Sequence, residues 1–245
     1  MLDVFFLSYN EVYADDNFAE LLKIVPHARR VHGVKGFYAA HKVCAERSMT
    51  HNFYVVDADA QIVPEFDFSF TPSKHKLLWG RPECEALFLW NSMNPINGLT
   101  YGYGGVKLIP KLPLIQNQNK DIVDFTTGFG LNIQVIDKVS NITAFNVDEF
   151  STWRSAFREC AKLSANATNH SLYRLPEEEL KKIQDEAEYR LHVWQTQGRD
   201  KKYGKYAIHG AKMGSEYGIK YSDVKERLKL INDYDWMKNE FNRFF

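Results

Sequence analysis

The run Phe53-Tyr54-Val55-Val56-Asp57-Ala58-Asp59 is an apolar, β-type stretch that ends in two carboxylates one residue apart. Alternate side chains of a strand share a face, so Asp57 and Asp59 can point the same way from the strand's C-terminal edge. Like charges that close repel unless a cation lies between them, and an all-oxygen donor set suits Mg²⁺ or Mn²⁺. A divalent ion held there can in turn hold a diphosphate. A phosphatase-type aspartate nucleophile fits less well, because Ala60-Gln61 follow the pair. The competing structural role is a turn or helix cap, which acidic residues after strands often fill. Position favours the metal, since α/β sheets gather ligands outside the carboxyl ends of their strands.

A metal site on Asp57 and Asp59 needs a further ligand from later in the chain. His209-Gly210-Ala211-Lys212 supplies an imidazole for Mn²⁺ and an ammonium for a phosphate, within a basic, glycine-punctuated segment from 199 to 218. The glycines predict a mobile loop that closes over a diphosphate, with a plain solvated loop as the alternative. At the turn before the aspartate strand, Gly33 to Lys42 opens a helix whose start can receive an anion, with Lys35, His41 and Lys42 near base, ribose or phosphate. Asn146-Val147-Asp148-Glu149 is a second acidic cluster. Either acid there can act as general base toward a sugar acceptor hydroxyl, or cap the helix that follows. Arg154 and Arg158 share a face of that helix, and Trp153 with Phe157 form a core pair. Lysines and tyrosines interleave over 199–206, a composition that suits a nucleic-acid backbone as well as it suits a lid or a solvated loop.

Hydrophobic periodicity places these residues on elements. Val4 to Leu7, Arg30 to Val34 and the aspartate run read as parallel strands, separated by helices over 15–25 and 37–49. Further strands are expected at 76–80, 86–90, 106–110 and 132–136, and Tyr101 to Gly105 reads as a loop allowing close backbone approach to a ligand. Helices are expected at 153–164, 176–197 and 222–245, the second opened by Pro176 and three glutamates. The fold class expected is α/β, a Rossmann-like mixed sheet flanked by helices with a helical C-terminal extension. Residues 1–150 would form the nucleotide-binding core, and 151–245 would complete the same domain.

With 245 residues, 44% hydrophobic and 14% aromatic, the chain is long and apolar enough for a sizeable core. Its 31 basic and 31 acidic residues balance, so bulk charge does not drive nucleic-acid binding, although a local basic groove remains open. Cys44, Cys84 and Cys160 are widely spaced and form no zinc pattern, which fits a reducing cytoplasm. No secretory leader and no membrane-length apolar run is evident, so the glycosylation-type triplets at Asn141, Asn166 and Asn169 read as chance matches. The expected location is cytoplasmic. The oligomeric state is left open.

The strand, the Asp-x-Asp pair and the late histidine, in this order, make the chain resemble the GT-A glycosyltransferases, closest to the family-2-like enzymes of tailed bacteriophages. The residues that carry this are Phe6-Leu7-Ser8-Tyr9-Asn10-Glu11, Gly33 to Lys42, Tyr54 to Asp59 and Trp153 to Cys160. The resemblance implies that Ser8, Tyr9, Asn10 and Glu11 line a uridine pocket, that Asp57 and Asp59 address a metal-diphosphate with Mn²⁺ or Mg²⁺, and that His209 and Lys212 stand for a late His/Lys element at compressed spacing. It implies a UDP-sugar donor. It further implies hydroxymethylated pyrimidine in DNA as acceptor, with arabinose or glucose transferred and Asp148 or Glu149 as the base. Glycan or lipid-linked sugar transfer is the alternative enzyme reading, and a nucleotide- or protein-binding module the non-enzymatic one.

Overall fold

The computed structural model describes residues 1–102, 104–116, 131–167 and 176–245, which divide into two compact units. The first comprises Met1–Asn94 and Thr100–Ala144, the second Pro95–Leu99 and Phe145–Phe245. The first unit ends at Ala144, and the short segment Pro95–Leu99 joins the helical unit.

The first unit opens with β1 (Asp3–Ser8), α1 (Ala14–Ile24), β2 (Arg29–His32), α2 (Phe37–Arg47) and β3 (Asn52–Asp57). All three strands are parallel, with β1 between its two partners. Then come β4 (Ala60–Ile62), β5 (Leu77–Leu78), β6 (Arg81–Pro82), β7 (Leu87–Met93), β8 (Thr100–Tyr101), β9 (Val106–Pro110), α3 (Lys111–Gln116) and β10 (Ile133–Thr143). The main sheet runs β2-β1-β3-β9-β7-β10-β4, with β8 beside β7. β9 is antiparallel to both β3 and β7, so the sheet is mixed. This is the α/β class the sequence leads one to expect.

Successive residues of the central strands serve opposite faces, because side chains alternate along a strand. Phe6, Tyr54, Val56, Leu108 and Phe88 pack with Leu21 and Val25 from the α1 side. Phe5, Phe53, Val55, Ile109 and Leu89 pack with Cys44 and Ala45 of α2 and Leu114 of α3. Burial of each such side chain contributes about 1.5–3 kcal/mol, which makes the β1–β3–β9 centre a rigid base for the residues at its edge. The segment expected as a strand at 76–80 is instead a hairpin whose arms are the two-residue strands β5 and β6.

The second unit contains α4 (Glu149–Ala167), α5 (Glu177–Thr196), α6 (Gly204–Lys220), α7 (Lys225–Lys229) and α8 (Tyr234–Asn242). The helix expected across 222–245 is broken: a 3-10 turn at Leu230–Asn232 follows α7, and Asp233 caps α8 by accepting from the Trp236 amide at 2.9 Å. The larger departure is α6, where a loop was expected. Gly210, Gly214 and Gly218 lie one turn apart, and a methyl group on them would run into the carbonyl oxygens of Trp153, Phe157 and Ala161 respectively. Four-residue spacing on both helices is thus a line of backbone contact between α4 and α6, of the small-residue kind that lets helices approach closely. Trp153 and Phe157 are buried with ring centroids 5.0 Å apart, as expected of a core pair. Among the described residues, no helix is long and apolar enough to cross a membrane.

Candidate active site

Because β1, β2 and β3 are parallel, their C-terminal ends meet at one edge of the sheet. Ser8 pairs with His32 and Leu7 with Asp57 in the strand register. The loop Tyr9–Glu11, the turn leading to Lys35, and the Asp57-Ala58-Asp59 turn therefore share that edge. Three backbone-directed bonds hold the aspartate turn: Asn17 Nδ2 donates to Ala58 O at 2.8 Å, Asp57 N donates to Gly105 O at 2.9 Å, and Ala144 N donates to Asp59 O at 2.7 Å.

The two aspartates are not equivalent. Lys107 Nζ donates to both carboxylate oxygens of Asp57 at 2.7 Å, from a side chain only 6% exposed, whereas the Asp57 side chain is 37% exposed. The register explains the contact: Lys107 lies opposite Val55 on β9, on the face that Asp57 also uses two residues later. Burial pushes the Asp57 carboxyl up, the Lys107 ammonium pulls against this, and Glu11 adds to the rise. Asp59 makes no ion pair among the described residues, and the nearby Lys107 charge offsets only part of its rise. Burial, then the neighbouring Asp57 and Glu11 carboxylates, push it up to about 7. Asp57, Asp59 and Glu11 thus repel one another at this edge, with Lys107 offsetting part of the repulsion. Lys107 was missed in the sequence, where its only signal was a lone charge inside the apolar run Val106–Pro110.

The remaining expected residues of this unit divide by accessibility. Glu11 and Asn10 are exposed and Tyr9 is 44% exposed, while the Tyr9 amide donates to Glu11 Oε2 at 2.6 Å. Ser8 is buried; its hydroxyl accepts from Arg30 Nε at 2.7 Å and lies 3.0 Å from His32 Nδ1, so it braces the edge. Lys35 is exposed just before the start of α2. His41 is buried inside α2, with Nδ1 2.7 Å from Phe37 O, and burial with the nearby Lys107 charge lowers its pKa to about 3. The contact with base, ribose or phosphate expected of His41 would therefore be made by a neutral ring. The glycine loop at 101–105 approaches protein, not open space: a side chain on Gly105 would come within 2.6 Å of Asn141 Nδ2. Tyr103 lies outside the described residues. Asn141 is fully buried, and its Oδ1 accepts from Ser92 and Ser140 hydroxyls at 2.9 and 2.8 Å, which removes it as a glycosylation acceptor. Asn169 and the Asn166 side chain lie outside the described residues.

His209, Lys212, Asp148 and Glu149 belong to the helical unit. The expected closing loop is a correction: His209 and Lys212 lie in the middle of α6, the latter exposed. Trp153 Nε1 donates to His209 Nδ1 at 3.1 Å, which places the ring proton of the neutral imidazole on Nε2. Burial and Lys212 lower the His209 pKa, so the ring is neutral, and metal ligation requires that the indole bond be given up or the tautomer reversed. Asp148 caps α4, accepting from Ser151 N at 2.6 Å and Ser151 Oγ at 3.0 Å. Glu149 Oε1 accepts from the Tyr206 hydroxyl. Arg158 Nη2 donates to Asn232 Oδ1 at 2.8 Å, and the Arg154 guanidinium lies 5.6 Å from the Tyr234 ring centre. A pocket of about 410 Å³ in this unit is lined by Tyr217, Tyr221, Trp236 and Arg227 among others, and contains none of the expected site residues.

Among the described residues no group of three or more His, Cys, Asp and Glu side chains is placed to hold a metal ion. Asp59 and Glu11 nevertheless fit a hard divalent cation of the Mg²⁺ kind, which takes one or two carboxylates and completes its shell with water and phosphate oxygens. No family model matches the chain, and no curated protein matches it. Among solved structures, HddC from Yersinia pseudotuberculosis is similar at 13% identity over 58% of this chain and 70% of that one, with a TM-score of 0.34. A likeness at that level carries no argument.

Proposed function

We propose that the chain is a glycosyltransferase that moves a sugar from a UDP-sugar to a hydroxyl acceptor, with hydroxymethylated pyrimidine in DNA as that acceptor. The observation that carries the reading is the placement of Asp57 and Asp59 at the C-terminal edge of parallel strands, the edge that also carries the Tyr9–Glu11 loop. The sequence resemblance to GT-A glycosyltransferases of phages supports the same assignment through Ser8 to Glu11 and Tyr54 to Asp59.

Asp59 and Glu11 would hold Mn²⁺ or Mg²⁺ together with the donor diphosphate. When bound, the ion supplies Lewis-acid stabilisation of charge on the departing UDP. Asp57, clamped by Lys107, keeps a fixed orientation and presents its exposed edge to a donor hydroxyl. Tyr9 and Asn10 border the uridine, and Lys35 reaches toward phosphate. The test is incubation with a panel of nucleotide sugars and hydroxymethylcytosine-containing DNA, followed by nucleoside mass spectrometry. A mass increment of one sugar on the modified nucleoside is expected; UDP release without any such increment would leave only the general transferase reading.

One observation favours a non-catalytic nucleotide- or protein-binding module. The Asp57–Lys107 pair can hold β3 to β9 with no ligand at all. Divalent-ion-dependent release of UDP from a UDP-sugar separates the two readings.

A further inference from the structure

The β5–β6 hairpin turns through Trp79-Gly80, with φ of 50° and 78° at the two positions. Positive φ at both centres of a two-residue turn is the conformation that Asn-Gly or Gly-Gly fills most easily, and a bulky side chain there is a genuine outlier. The tip nevertheless carries an indole that is 64% exposed, beside Leu77 at 62%. Its stem is well anchored. Glu83, 6% exposed, accepts from Ser73 N at 2.8 Å and from Lys76 Nζ at 2.7 Å, and its own amide donates to Lys76 O at 2.8 Å. Arg81 is exposed next to the tip, Lys74 and His75 are exposed at the base of the stem, and the sequence contains no acid between Ser73 and Pro82. The hairpin thus combines a strained, exposed aromatic at its tip with exposed cations on either side of it in the sequence, on a stem held by the Lys76–Glu83 pair.

We infer that this hairpin is a wedge that places Trp79 against the bases of a DNA strand while Lys74 and Arg81 take the flanking phosphates. The inference rests on the DNA acceptor in the proposed function and not on the donor chemistry. An apolar side chain pressed between base steps, with cations on its flanks, unstacks the duplex locally. A sugar acceptor on a base then becomes reachable outside the stack. An anionic membrane surface would also attract an indole with lysines, but Leu77 and Trp79 alone offer little apolar area for anchoring.

Asparagine tolerates the left-handed conformation, so Trp79→Asn removes the indole without burdening the turn. The full-length protein is titrated into duplex DNA carrying 2-aminopurine next to hydroxymethylcytosine, reading anisotropy for affinity and fluorescence for unstacking. Wild type should bind and brighten the probe. Trp79→Asn should melt at the same temperature or higher, bind about tenfold more weakly and leave the probe dark. Lys74→Ala with Arg81→Ala should flatten the salt dependence of binding. Wild-type affinity and brightening in Trp79→Asn overturn the wedge, as does a wild-type protein that binds no DNA. Loss in that variant of binding to phosphatidylserine vesicles, with DNA binding unchanged, overturns it in favour of a membrane contact. UDP release is followed in parallel. Trp79-dependent DNA binding without any sugar transfer sinks the transferase reading and leaves the wedge standing.

Discussion

Lys107 and Asp57 are joined by paired 2.7 Å contacts across adjacent antiparallel strands, with the ammonium almost wholly buried and the carboxylate reaching solvent. This asymmetry makes the two partners unequal on removal. Asp57→Ala strands a buried ammonium, whereas Lys107→Met leaves a carboxylate that water can reach. Urea unfolding should show Asp57→Ala destabilised by about 2–3 kcal/mol, below the full value for a buried pair because the pair is partly solvated. Lys107→Met should lose distinctly less. Equal losses would mean that the ammonium finds water by another route.

Asp59 should make stability fall as the pH rises. Its carboxyl titrates near 7 in the folded chain, up from a model-peptide value of 3.8, so the folded state holds the proton over a range in which the unfolded state has lost it. The resulting stabilisation is complete below about pH 4 and is lost between there and pH 7. Asp59→Asn should therefore be more stable than wild type at pH 8 and no more stable at pH 4. Denaturant midpoints at the two pH values check this, and a pH-independent difference would contradict it.

Gly214→Ala should destabilise the helical unit. In an ordinary helix interior that change stabilises by about 1 kcal/mol, yet here the new methyl group meets the Phe157 carbonyl oxygen. Overpacking of this kind costs about 1–3 kcal/mol. A lowered melting temperature is expected, and a raised one would show that α4 and α6 are not in backbone contact.

The thiols should react unequally. Burial pushes Cys44 up to about 12 and Cys160 well above the usual thiol range, whereas Cys84 is only half-buried. A thiol-disulfide reagent should modify Cys84 in the native protein and reach Cys44 and Cys160 only after denaturation. Fast reaction at either buried site would show that the surrounding core opens readily.

The parallel opening of the fold was legible because β1, β2 and β3 are short apolar runs between amphipathic helices, and this also placed Asp57 and Asp59 at a strand edge. Lys107 was hidden because cross-strand register is invisible in a single strand: a lone lysine in an apolar run does not announce a partner 50 residues away. The helix α6 was hidden by its own contacts, since glycines that break an isolated helix are what let this one lie against α4. The Trp79-Gly80 turn reads as strand in the sequence because tryptophan is a strand residue by propensity, and nothing local predicts positive φ at that position. Asp148 fell on its structural alternative, where capping geometry was already apparent from Ser151 three residues on.

The most direct test of the account is Mn²⁺-dependent release of UDP from a panel of UDP-sugars by wild type and Asp59→Asn. The wild-type protein should release UDP from at least one donor and stop when the ion is chelated. Asp59→Asn should melt at the wild-type temperature or above it while losing turnover by about two orders of magnitude or more, in line with removal of a group that holds transition-state charge. Undiminished turnover in Asp59→Asn, or no UDP release by the wild-type protein from any donor, would contradict the assignment of this sheet edge as a nucleotide-sugar site.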